Sequence, residues 1–240
     1  FVSKEVTKMS EAANKTEHVL SIFKQISAIP RKSKDEERIR AWLLSWAKDR
    51  GFSSATDAIG NIVIDIPATA GMEKVETVVL QGHMDMVCEK NAATKHDFEQ
   101  DPLKLKVNGD WVTAEGTTLG ADNGIGVAAA LALVEDPRIE HGPLELLLTV
   151  DEETGLTGAK DLDASIVSGR IMLNLDTEED GAVYMGCAGG AAVRVRVNGA
   201  EVVVADLGEI DFVGMERVAR VPSSPTRLTT TPEVGVRPSA

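Results

Sequence analysis

The sequence predicts an α/β fold, a layered sheet flanked by helices, on three observations. Helical and strand-like runs alternate along the chain. Two apolar runs, Leu144 to Val150 and Ile171 to Leu175, are continuous, as suits central strands covered on both faces. Four acidic or His-bearing clusters each close an apolar run, the place where an open α/β sheet collects its ligands.

Taken in order, residues 1–16 read as a loose polar lead-in. From about Glu17, Val19, Ile22, Phe23 and Ile26 fall at helical spacing, and Pro30 closes the run. Ser33 and Glu36 form a capping-box pattern ahead of a second helix, with Ile39, Trp42, Leu43 and Trp46 as its apolar stripe and Gly51 as its stop. Asn61 to Ile66 alternates and is β-branched, and Thr77 to Leu80 is a short apolar run leading into Gln81-Gly82-His83. Val107 to Ala114 is expected to be one strand around Trp111. Gly124 to Val134 is small and apolar on every side, as suits a helix buried against a sheet. After Gly189-Gly190, AAVRVRVNG and EVVVADLG are strand-like. The end of the chain is rich in Pro, Ser, Thr and Arg, so residues 201–240 are expected to be a largely disordered tail behind a domain spanning residues 17–200.

Composition narrows the function classes. Hydrophobic residues at 43% and charged ones at 26% are ordinary for a globular chain, while aromatics at 4% leave the core to Val, Ile, Leu and Ala. A net charge of -13 argues against nucleic acid or an anionic membrane as partner. Two cysteines, Cys88 and Cys187, are too few for a disulfide framework, and no apolar run resembles a signal peptide or a membrane span, so a cytoplasmic location is expected. The first residue is Phe1 rather than Met, which reads as a fragment or a processed product.

The clusters are GHMDM after VVLQ, GADNG after GTTL, DEETG after LELLLTV, and NLDTEED after RIML. Strand ends collect Asp and Gly as turn formers, so any one cluster alone is a turn. Four together deliver His83, Asp85, Asp122, Glu152, Glu153 and Asp176 to one rim. Carboxylates gathered without cations raise each other's pKa values, a cost that a divalent metal removes. One imidazole among carboxylates matches zinc or manganese better than an all-thiolate site would.

GHMDMVCEKN, GTTLGADNGIG, TVDEETGLTGA, NLDTEEDG and YMGCAGG together resemble, over residues 17–190, the ordered motifs of the M20 metallopeptidases, and most nearly their aminoacyl-histidine (Xaa-His) dipeptidase group. The resemblance implies a zinc aminopeptidase-like catalytic domain with a mixed sheet, a small-peptide substrate with C-terminal His preferred, and two Zn2+ ions, with Mn2+ or Co2+ as alternatives. It also implies His83, Asp122, Glu153 and Asp176 as metal ligands, Asp122 bridging both metals. Glu152 is then the general base, and Asp85 orients the His83 imidazole. Because neighbours on an extended strand point to opposite sides, Glu152 and Glu153 need an irregular strand end, which Thr154-Gly155 is expected to supply.

The family pattern continues with a lid domain and a second ligand His, yet no His follows His141. The expectation is therefore a truncated catalytic part, lacking the lid and the C-terminal strands and impaired as an enzyme by itself. The alternative is a non-catalytic metal-binding or protein-interacting remnant. Homo-oligomer formation goes with the lid and is not assignable here. A nucleotide-binding reading of GTTLGADNGIG is a weak third alternative, since there is no GKS/T ending and Asp122 would repel a phosphate unless a metal intervened. His18 reads as a helix-surface residue, His96 as surface or loop, and His141 as part of a turn. Cys88 and Cys187 read as inert buried thiols, Glu178 to Asp180 as a solvated acidic turn, and Thr117 and Thr118 as loop-shaping residues.

Overall fold

The computed structural model describes residues 2–109, 111–177, 189–197 and 200–210. The chain falls into two compact units, Phe1–Glu178 and Glu179–Ala240.

In the first unit, helix α1 spans Val2–Ser27 and ends three residues before Pro30. It begins well ahead of the expected start near Glu17: residues 2–16 contain neither Gly nor Pro, and about half of them are the good helix formers Ala, Lys, Glu or Met, so the lead-in continues the helix. Ile22, Phe23 and Ile26 are buried, on the predicted stripe. Helix α2 spans Glu37–Asp49, and its end is as expected: the Gly51 amide donates to Lys48 O (3.0 Å) and the Phe52 amide to Ala47 O (3.0 Å), a Schellman closure that needs the positive φ of 74° at Gly51. Its start departs from the expected capping box. Lys34 takes a left-handed φ of 70°, the helix begins only after Glu36, and no side chain caps it. Ser33 and Glu36 are used elsewhere.

Five strands form the main sheet: β1 (Ser53–Thr56), β2 (Ile62–Ile66), β3 (Val78–His83), β6 (Leu144–Thr149) and β7 (Ile171–Asn174). They lie in the order β1-β2-β6-β3-β7. The pairs β1/β2 and β2/β6 are antiparallel, whereas β6/β3 and β3/β7 are parallel, so the sheet is mixed. Its alternation separates two apolar layers. Ile62, Ile64, Leu146 and Leu148 join α1, α2 and helix α3 (Ala121–Glu135) in the larger core, whereas Val63, Val79 and Leu147 face Leu162, Ile166 and Val167. All six residues of β6 are buried at the sheet centre, the leucines as expected of a covered strand, and Glu145 with its carboxylate accepting from the Ser168 and Gly169 amides (3.1 Å each). Strand β7 corrects the same expectation. It lies at the end of the strand order, with Ile171, Met172 and Leu173 42%, 50% and 51% exposed. A continuous apolar run reports an affinity for cover and not a place in the order of strands.

Val107 to Ala114 is also not one strand. β4 (Leu105–Asn108) and β5 (Trp111–Ala114) pair antiparallel, and Gly109, at φ 60°, sits between them. Helix α3 begins at Ala121, three residues before the expected Gly124, although Asp122 and Asn123 have non-helical angles and share a cis peptide bond. A short helix α4 (Thr157–Lys160) and a 3-10 turn (Ala164–Ile166) connect β6 to β7. No helix among the described residues is long and apolar enough to cross a membrane.

In the second unit, β8 (Gly189–Val197) and β9 (Ala200–Ile210) pair antiparallel, so the strand-like stretches read there are strands, and the expected tail boundary at residue 201 falls inside β9. The disorder expected toward the chain end, from residue 211, lies outside the described residues, as do Cys187 and the acidic turn at Glu178 to Asp180.

Candidate metal centre

The parallel strands β3, β6 and β7 all end on one rim, which is how residues far apart in sequence come together. His83 is the last residue of β3, pairing with Thr149 at the end of β6. Glu152 and Glu153 follow β6, Asp176 lies two residues beyond β7, and Asp122 opens α3.

His83 is 1% exposed, and its two ring nitrogens face different partners. Nδ1 lies 3.2 Å from Asp85 Oδ1. Nε2 lies 2.9 Å from Asp122 Oδ1, 3.7 Å from Asp176 Oδ1 and 4.0 Å from Glu152 Oε2. Two sets of donor atoms lie within 4.8 Å of one another: His83 with Asp122 and Asp176, and His83 with Glu152 and Glu153. All six residues singled out in the sequence thus gather at one place, with His83 in both sets.

Asp85 is fully buried and acts as the junction. It accepts from the Ser33 hydroxyl (2.7 Å), the Glu152 amide (3.1 Å) and the Glu153 amide (3.2 Å) as well as facing His83. Burial alone would raise its pKa, but His83, Ser33 and the Glu152 amide outweigh burial and hold it at about 2. Burial likewise acts to lower the His83 pKa, and Asp176, Asp85 and Asp122 outweigh it and lift it to about 10.

The irregular strand end needed by Glu152 and Glu153 starts earlier than Thr154. Asp151 takes a left-handed φ of 48°, and its carboxylate accepts from the hydroxyls of Thr154 and Thr157, which folds the turn back. Both neighbouring glutamates can then face the same cleft. Their carboxyls are pushed up, first by burial and then by other carboxylates: Asp176 and Glu153 at Glu152, Asp122 at Glu153. Asp122 is raised by burial and Asp176, while Asp176 is lowered, first by His83. Three carboxyls held above their ordinary range beside one imidazole form a donor set whose repulsion a divalent cation relieves, so these residues fit a metal.

Several residues that build the site were not singled out for it. Asn123, 3% exposed, donates to Leu175 O (2.8 Å) and Asp176 Oδ1 (3.1 Å) and accepts from the His83 amide (3.3 Å). It therefore ties the ends of β3 and β7. The GADNG motif contains it, but no spacing rule distinguishes a tie from a turn. Ser33 and Glu36 had a local role available in their pattern, which hid the distant one: Glu36 Oε1 accepts from the Asp151 amide at 2.9 Å.

The remaining side chains stand as follows. His96 lies in a loop, as one of its two readings had it, but is buried rather than at the surface, with its ring edge-on against Phe98 at 4.5 Å. His18 pairs with Glu135 (2.9 Å) from the surface of α1, and the His141 amide donates to Thr69 Oγ1 (2.9 Å). Cys88 is half-buried and its thiol faces Met86 O. Thr118 shapes its loop as expected, donating to Val87 O at 2.6 Å and accepting from the Glu89 amide at 3.2 Å.

Residues 79–216 match the family described as Peptidase family M20/M25/M40. The chain is 52% identical over 169 residues to the cytosol non-specific dipeptidase of Escherichia coli, covering 70% of this chain and 35% of that one. Among solved structures it is similar to aminoacylhistidine dipeptidase from Vibrio alginolyticus, with a TM-score of 0.70, 49% identity and coverage of 75% of this chain and 38% of that one. A tripeptidase from Staphylococcus aureus superposes with a TM-score of 0.59 at 25% identity, over 68% of this chain and 44% of that one. The chain spans about a third of the length of the first two of these proteins.

Proposed function

The chain belongs to peptidase family M20/M25/M40, and from that premise we propose that it carries the metal-holding part of a metal-dependent hydrolase of dipeptides and short peptides, with Xaa-His substrates preferred. The observation that carries this reading is the convergence of Asp122, Asp176 and Glu152 on Nε2 of a buried imidazole whose Nδ1 faces Asp85. The names of the similar proteins, a non-specific dipeptidase and an aminoacylhistidine dipeptidase, support the substrate class. A cytoplasmic location is proposed with it, on the same relatives.

His83, Asp122, Glu153 and Asp176 would hold two divalent cations, Zn2+ in the first place and Mn2+ or Co2+ otherwise. A cation pair of this kind supplies Lewis-acid polarisation of the scissile carbonyl and an acidified water. Glu152, one of the carboxylates that face His83, would accept the proton of the attacking water and hand it to the departing amine. Asp85 keeps the His83 ring in one orientation and, through the Glu152 and Glu153 amides, fixes the backbone that aims both glutamates.

The test is Glu152→Gln in a chain of the relatives' full length. Dipeptide hydrolysis should fall by about 10²–10⁴-fold while metal content stays at the parent's level. Retained turnover would sink the assignment of the base. A second reading, a metal-binding or protein-interacting remnant without turnover, is favoured by the single imidazole at the centre among the described residues. Metal analysis of this chain separates the two: close to two equivalents supports the assembled pair, one or none the remnant.

A further inference from the structure

We propose that Arg31 is a positioning residue of this centre, a guanidinium strut that fixes the turn leaving β3 against the turn entering α3. The inference rests on the metal-centre reading above and adds to it a residue that touches none of the proposed ligand side chains.

Arg31 is 2% exposed, in the connection between α1 and α2. Its Nη1 donates to Met84 O (3.1 Å) and Asp85 O (2.6 Å), and its Nη2 donates to Gly120 O. Met84 and Asp85 follow His83 directly, and Gly120 stands two residues before Asp122, so one rigid fork spans the two turns that present His83 and Asp122 to each other. A hydrophobic residue of similar volume would leave these carbonyls without their donor, which costs more than the bonds themselves contribute. Lysine keeps the charge but lacks the planar fork that reaches both turns at once.

The neighbouring sequence makes room for this group. A Cβ on Gly120 would meet Nη2 at 2.5 Å, and one on Gly124 would meet it at 2.7 Å. Gly120 also has a φ of 64°, so the turn both adopts a left-handed backbone and admits the guanidinium. The rest of the α1–α2 connection has the same orientation of purpose. Lys32 bridges Met86 in parallel fashion, Ser33 donates to the Asp85 carboxylate, and Glu36 accepts from the Asp151 amide. Residues 31–36 thus reach the exits of β3 and β6 and the entrance of α3 from beneath the rim.

Charge adds to geometry. Burial lowers the Arg31 pKa to about 10, with Asp85 the first of the opposing influences, so the group stays cationic at neutral pH. It is a fixed positive charge under a cluster of carboxylates, Asp122 and Glu153 included.

The experiment compares the 240-residue parent with Arg31→Met and Arg31→Lys, by hydrogen–deuterium exchange of the metal-free chains and by cobalt titration. In Arg31→Met, segments 84–88 and 117–123 should exchange about tenfold faster or more, with β2 and β6 unchanged. Cobalt affinity should fall about 10–100-fold, the range for residues that orient a metal's ligands. Arg31→Lys should recover part of the cobalt affinity while segment 117–123 stays fast. Unchanged exchange in both segments overturns the proposal, and so does uniform acceleration throughout the fold, the mark of a residue that only packs. Cobalt affinity within about threefold of the parent, short of that range, overturns it as well. If Arg31→Met does not fold, Arg31→Lys decides by the same readouts. A parent that binds no cobalt overturns the metal-centre reading, and the exchange comparison still decides the role of Arg31.

Discussion

Asp85 shows how much one carboxylate can organise. Its two oxygens face His83, the Ser33 hydroxyl and the amides of Glu152 and Glu153, so it sets an imidazole and a strand end at once. Asparagine offers one acceptor oxygen and an amide that presents donors to donors. Asp85→Asn should therefore weaken Zn2+ binding by about 10–100-fold in a chelator competition. The same pair sets a pH profile for the metal-free chain. The His83 pKa is raised to about 10, so its contribution to stability is complete below the ordinary histidine range and is lost as pH climbs through 10. The Asp85 pKa is held at about 2, so its contribution is complete above the ordinary carboxylate range and is lost as pH falls through 2. Thermal melts of the chelated chain should decline on both limbs, and His83→Gln should flatten the alkaline limb. An alkaline limb that survives this substitution would place its origin elsewhere.

Among the elements, β6 stands at the centre of the five-stranded sheet. Leu146 is 0% exposed and lies between Ile64 on β2 and Leu80 on β3. Leu146→Ala should cost about 2–5 kcal/mol in urea denaturation, the transfer loss plus the cavity. The end of α2 supports a smaller, cleaner test. A Cβ on Gly51 would meet nothing within 4 Å, so Gly51→Ala isolates the left-handed φ and should cost about 1 kcal/mol. The start of α2 and the place of β7 depart from the local sequence pattern for a common reason. A capping pattern and an apolar run are local signals, whereas the partner of Ser33 is Asp85, 52 residues away, and the neighbour of β7 is β3.

At the scale of the whole molecule, the cluster links metal to folding. A cation that binds the native centre and not the unfolded chain stabilises by mass action, about 2.7 kcal/mol at one hundred times its Kd. Zn2+ should therefore raise the melting temperature of this chain and a chelator should reverse the shift. In Asp122→Asn the shift should shrink, because a carboxylate oxygen beside His83 Nε2 loses its charge. A net charge of -13 works in the same direction, since cations are drawn to the molecule before they reach the rim.

By itself, the sequence determined which polar residues gather at the rim and which elements they close, open or follow. His83, Asp122, Glu152, Glu153 and Asp176 were legible because each closes or follows an apolar run, and runs that alternate with helices place their ends on one rim. The buried β6 and the stop at Gly51 were legible for the same local reason. Only the tertiary structure decided what holds those residues still: the Arg31 fork, the Ser33 hydroxyl, the Glu36 carboxylate and the Asn123 amide. The bonds by which they reach the site span 40 or more residues, and a hydrogen bond across that distance is fixed by how the chain packs, which no run or spacing records.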